Sequence, residues 1–256
     1  EALALSRRIG NRPYEWATLA ERTYPLLMTG GWDEALATAD EFTQEQVDSG
    51  GVVLSLLQSG VEIHAYRGEL DEARRIYAMF DRLEGSTDIQ DRSMRLAATA
   101  ALSRAEGRLE EAHAAGAATI ETAATLSPSF QGVKQGVVDA LEAALALGDT
   151  PKVEELLAWI EQLAPATRPP YLDAQALRFR ARLSGDTAGL AAAAARFSAL
   201  GVPFWLAVTQ LEQAALLGDG DAAELIRADA RAAFQRLGAT PWLERVGVAV
   251  ETSVAV

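Results

Sequence analysis

Apolar positions along the chain recur at helical spacing, in stretches separated by short polar breaks. In the stretch 70–83, for example, Leu70, Ala73, Ile76, Tyr77 and Phe80 form one stripe. Six times a break carrying Gly divides two such stretches: TGGWDEAL around Gly30, RGELDEAR around Gly68, EGRLEEAH around Gly107, LGDTPKVE around Gly148, SGDTAGLA around Gly185 and LGDGDAAE around Gly218. Successive glycines lie 38, 39, 41, 37 and 33 residues apart. A period of that size marks stacked supersecondary units. The pattern predicts helix pairs at 14–27 with 32–47, 52–67 with 70–83, 89–106 with 109–126, 130–147 with 151–163, 171–184 with 187–200, and 204–217 with 221–237.

Each break has the chemistry of a helix end followed by a helix start. Gly takes the left-handed cap without a Cβ clash. Acids then fall where the positive end of the next helix favours them, at Asp33-Glu34, Asp71-Glu72, Glu110-Glu111 and Asp221. Small residues (Ala35, Ala73, Ala112, Ala223) let the second helix pack closely on the first, and the short connection makes the two antiparallel. Thr150 is expected as an N-cap, with Pro151 at the first helical position. Between pairs lie Ser49-Gly50-Gly51, Gly85-Ser86, Ser127-Pro128, the stretch from Ala164-Pro165 to Pro169-Pro170, Gly201-Val202-Pro203 and Gly238. The expected architecture is an all-α solenoid over residues 1–256, with pairs occupying 14–48, 52–84, 89–126, 130–164, 169–200 and 203–237. Residues 1–10 read as the remnant of a preceding repeat, since Ala2, Leu5 and Ile9 sit at helical spacing before Gly10. The chain therefore reads as a fragment of a longer array. Residues 240–256 read as a C-terminal cap, begun by Trp242 and Leu243.

Composition sharpens this picture. Of 256 residues, 49% are hydrophobic, enough to bury a sizeable core. The formal net charge of −13 argues against nucleic-acid binding, which needs clustered Lys and Arg. Only Lys134 and Lys152 are lysines, and the arginines are interspersed with acids. The absence of cysteine removes disulfides, thiol catalysis and Cys-ligated metals, and suits a reducing cytoplasm, the expected location. No apolar run approaches the length of a membrane span.

A search for reaction chemistry finds little. His64 and His113, the two histidines, sit in different units, and neither belongs to an HExxH pattern. His64 reads as a partly buried polar residue. No GxSxG elbow and no GxxxxGK[ST] phosphate loop occurs, and Gly218-x-Gly220 lacks the third Gly of a dinucleotide fingerprint. The acid pairs open helices, where the dipole accounts for them. No catalytic residue, cofactor or metal site is expected in these residues.

The turns built as Gly, then any residue, then an aromatic residue or Leu, then Asp/Glu-Glu-Ala resemble those of tetratricopeptide repeats, most clearly in the first three units. In the fourth and fifth, Val153 and Leu190 stand where Ala is expected. The opening EALALSRRIGNRP and the closing AFQRLGATPWLERV (residues 233–246) resemble the repeat region of large bacterial signalling proteins. Those proteins join an AAA/STAND-type ATPase to such repeats. Some add a class III adenylate or guanylate cyclase domain, others a LuxR-type helix-turn-helix. The resemblance covers the repeat region alone.

In such arrays the first helix of each pair lines a concave face. Counting back from each Gly, the resemblance assigns to it Tyr24; Gln58, Glu62 and Tyr66; Arg104; Gln135 and Glu142; Gln175, Phe179 and Arg182; and Trp205 and Glu212. Two readings follow. In one the chain is a non-catalytic scaffold contacting a protein or peptide partner, including other domains of its own parent, and controlling an attached ATPase or cyclase. In the other it senses a small-molecule effector. An open concave face favours the first reading, and an enclosed pocket with converging polar groups the second.

Overall fold

A computed structural model of the chain describes residues 2–40, 54–83 and 85–254, and every regular element in them is helical. The elements are α1 (Ala2–Ile9), α2 (Arg12–Thr29), α3 (Trp32–Asp40), α4 (Leu54–Arg67), α5 (Leu70–Tyr77, continued by a 3-10 helix, Ala78–Leu83), α6 (Ile89–Ala105), α7 (Leu109–Ala118), α8 (Ile120–Leu126), α9 (Gln131–Ala146), α10 (Thr150–Gln162), α11 (Pro170–Ser184), α12 (Thr187–Leu200), α13 (Pro203–Leu217), α14 (Asp221–Leu237) and α15 (Thr240–Val254). The far half of the helix expected over 32–47, and the break at 49–51, lie outside the described residues. Sequence neighbours pack on one another (α2 on α3, α6 on α7, α11 on α12, α13 on α14), an all-α fold of solenoid type.

The breaks do what their residues dictate. Gly30, at φ +82°, turns left-handed and donates its N–H to the Leu26 carbonyl. Trp32 then folds back, almost fully buried, and its Nε1 donates to the Leu27 carbonyl at 2.9 Å. Asp33 and Glu34 occupy the first turn of α3, as Asp71 and Glu72 do in α5 and Glu110 and Glu111 in α7. The cap of α10 differs from expectation. Asp149, not Thr150, is the N-cap, because its carboxylate accepts from the Lys152 N–H at 3.2 Å; Thr150 is already helical.

Two expected helices are interrupted. The one over 70–83 tightens to 3-10 at Ala78, whose N–H reaches the carbonyls of both Arg74 and Ile76. The one over 109–126 breaks at Thr119, whose N–H and hydroxyl both bond the Gly116 carbonyl, at 3.2 and 2.6 Å. This interruption sits at a very close helix crossing. A Cβ on Gly116 would lie 2.2 Å from the Gly136 carbonyl oxygen of α9, and one on Gly136 would lie 2.5 Å from the Thr119 methyl.

The helices form two compact units, residues 1–65 with 69–143 and residues 66–68 with 144–256. The core of the first includes Leu57, Val61, Ile76, Phe80, Met94 and Ala98. That of the second includes Leu157, Phe179, Phe197 and Phe234. No described helix is long and apolar enough to cross a membrane.

Candidate functional site

In the first unit the face counted as concave is buried and bonded to itself. Ser55, Gln58 and Glu62 follow one another along α4 at spacings of three and four, so they share a face. Gln131, Gln135, Asp139 and Glu142 do the same on α9. The two faces meet. Ser55 Oγ donates to Gln131 Oε1 at 2.7 Å, Gln131 Nε2 donates to Gln58 Oε1, and Gln58 Nε2 donates to Glu62 Oε1. From α6, Arg104 Nε donates to Asp139 Oδ1 at 2.6 Å, and from α2 Met28 offers its sulfur to Gln135 Nε2. Gln58 and Glu62 are fully buried, Gln135 and Asp139 nearly so. Tyr24, Arg104 and Glu142 are partly covered at the margins of the cluster.

The electrostatics are those of acids taken out of water. Burial, and then the charge of Asp139, push the Glu62 carboxyl well above its ordinary range, against the opposing pull of Arg104 and Gln58. Burial also raises Asp139, although the Arg104 guanidinium beside it acts the other way. Glu62 Oε2 and Asp139 Oδ2 have no hydrogen-bond partner among the described residues. Burial, reinforced by Glu62, raises the Tyr24 phenol, and burial lowers Lys134, whose ammonium lies 4.7 Å from the Tyr24 ring centroid. The cluster is therefore a pair of buried acids whose protonated forms burial favours, with one guanidinium beside it acting the other way.

A pocket of about 250 Å³ opens beside this cluster. Glu21 and Tyr24 of α2, Ser55 of α4, Met94 of α6, and Phe130 and Gln131 at the start of α9 line it, so helices of four pairs contribute. Ser55 and Gln131 belong both to the pocket wall and to the hydrogen-bonded chain that ends on Glu62.

The second unit buries its counted positions differently. Gln175, Phe179 and Trp205 are buried, and so is Tyr66, which stacks on Phe204 with centroids 4.2 Å apart. Arg178 of α11 is completely enclosed. Both its Nε and Nη2 donate to the Glu212 carboxylate of α13, Nη1 donates to Gln175, and the guanidinium lies about 5 Å from the ring centroids of Phe179 and Trp205. Arg182 adds a second cation to Glu212 at 2.7 Å. This is an ion pair wrapped in aromatic rings, and Phe204, Phe234 and Trp242 continue the cluster.

Of the twelve positions expected to face a groove, seven are buried, and Tyr24, Arg104, Glu142, Arg182 and Glu212 are partly exposed. Counting from the break glycines did not single out Ser55, Gln131, Asp139 or Arg178. The three- and four-residue spacing of 131, 135, 139 and 142 was the signal available for the α9 face. His64 is partly buried, as expected, with Nδ1 2.6 Å from Glu69 Oε2, and His113 faces the Ala140 carbonyl. Among the described residues no group of three or more His, Asp or Glu is arranged to hold a metal ion. Comparison of the chain with protein-family models matches none, and comparison with curated proteins matches none.

Proposed function

We propose that the chain is a non-catalytic regulatory module of a signalling protein and that it acts by holding a small effector. The observation that carries this reading is the pocket of the first unit, bounded by helices of four pairs and lined by polar groups that converge on Ser55 and Gln131. A peptide groove finds less support, because seven of the twelve positions counted as its lining are buried. The resemblance of the opening EALALSRRIGNRP and the closing AFQRLGATPWLERV to the repeat region of bacterial signalling proteins supports placing such a module beside an ATPase or cyclase, whose output the bound effector would bias by favouring one packing of the helices over another.

A second reading, contact with a protein partner, has its own observation. Leu5, Ile9 and Tyr14 at the start of the first unit are 46%, 64% and 56% exposed, an uncovered apolar face of the kind that a further helix pair covers in a repeat array. Thermal-shift screening of the chain against metabolites separates the two. A shift that grows with ligand concentration supports the effector reading. No shift at millimolar concentration with any ligand class overturns it and leaves the partner reading.

A further inference from the structure

We infer that the pocket of the first unit selects a small organic cation, a primary amine or quaternary ammonium carried on a compact apolar body; this rests on reading that pocket as the effector site. Three features of its wall point the same way. First, Glu21 is the only charged side chain in the lining, is exposed, and forms no ion pair among the described residues. Second, the other polar side chains of the wall, Ser55, Gln90, Ser129 and Gln131, are neutral, and the Ser55 hydroxyl and one Gln131 N–H are already committed to Gln131 and Gln58. Among the described residues the wall thus offers a ligand one carboxylate and no cation that competes for it. Third, Tyr24 and Phe130 supply aromatic rings and Met94 a polarisable thioether, surfaces that attract cations and apolar groups alike. The Tyr24 ring already accepts an ammonium, that of Lys134, which burial weakens as a base and which does not line the pocket.

Size narrows the class. At about 250 Å³ the pocket falls below the range of roughly 300–1,000 Å³ typical of drug-sized ligands, so it suits a compact amine better than a nucleotide or an oligosaccharide. An anion would meet the Glu21 carboxylate with no cation among the described lining residues to offset it.

The test is isothermal titration calorimetry on the full chain with benzylamine and choline, against benzyl alcohol and benzoate as neutral and anionic partners of similar size. Benzylamine or choline is expected to bind, and the two controls not. Glu21→Gln is expected to weaken the amine about three- to five-fold, the scale of one exposed charge contact, with the effect fading at high salt. Glu21→Lys is expected to abolish amine binding and admit benzoate. Because Glu21 is exposed, both variants keep the fold, which circular dichroism verifies. Amine binding unchanged by Glu21→Gln places the ligand elsewhere and overturns the inference. Benzoate or benzyl alcohol binding as well as benzylamine overturns the cation preference but leaves an effector pocket standing. No heat with any of the four, together with a metabolite screen without shifts, removes both readings.

Discussion

Replacing Glu62 with Gln tests whether the folded first unit raises the pKa of its buried acid. Glu62 is 0% exposed, with Asp139 raising its pKa alongside the effect of burial. An unfolded Glu titrates near about 4.3. Because the folded value lies above this, the native chain binds the proton more tightly than the unfolded chain does. The resulting stabilisation is complete below the unfolded value and is lost as pH rises towards the folded one, at about 1.4 kcal/mol per pH unit in the window between them. Glutamine keeps the shape and keeps a carbonyl to accept from Gln58 Nε2, and it places an amide N–H₂ where Glu62 Oε2 has no partner. Glu62→Gln should therefore cost little at pH 5, flatten the fall in stability with pH, and leave the variant at least as stable as the parent at pH 8. Urea denaturation at constant ionic strength from pH 5 to 8, followed by circular dichroism, measures this. The net charge of −13 adds a repulsive background that grows with pH, but parent and variant share nearly all of it, so the difference between the two slopes is the quantity to read. A Glu62→Gln variant with the parent's slope and lower stability at pH 8 would refute the argument. It would mean that Glu62 is ionised and that its charge is used by Arg104.

Other perturbations address the remaining packing. Glu212→Ala should destabilise the second unit by about 3–5 kcal/mol, because it strips the enclosed Arg178 guanidinium of its carboxylate, whereas Arg180→Ala, which breaks the exposed contacts to Glu154 and Glu161, should cost under about 1 kcal/mol; paired denaturation curves compare them. Gly116→Ala should cost about 1–3 kcal/mol or more in thermal unfolding, since its Cβ meets the Gly136 backbone oxygen and neither helix can yield alone. Trp32→Phe keeps most of the buried ring but orphans the Leu27 carbonyl, an expected loss of about 1–3 kcal/mol, visible as a lower urea midpoint with unchanged slope.

The alternation of apolar stripes and Gly breaks was enough to place the helices, because helix propensity, capping and dipole effects act within a few residues of one another. Gly30 ends α2 and Asp33-Glu34 opens α3 on grounds that any neighbouring segment would leave intact. The same local rules erred where a competing local bond was one residue away, as at Asp149, where a remote helix packs closely, as at Thr119 against Gly136, and at Ala78, where the helix tightens to 3-10. The polar faces of α4 and α9 were legible as faces, since the helix period alone makes Gln58 and Glu62 neighbours. Whether such a face meets water or another helix is a different question. Gln131 reaches Gln58 across 73 positions of sequence, and Arg178 finds Glu212 across 34. A glutamine or an acid satisfies its hydrogen bonds equally well with water or with a partner brought from far along the chain. Periodicity therefore determined which residues stand together. Only the packing of the helices decided that they stand in the interior, that burial raises the pKa of the acids among them, and that a small pocket opens at the end of their hydrogen-bonded chain.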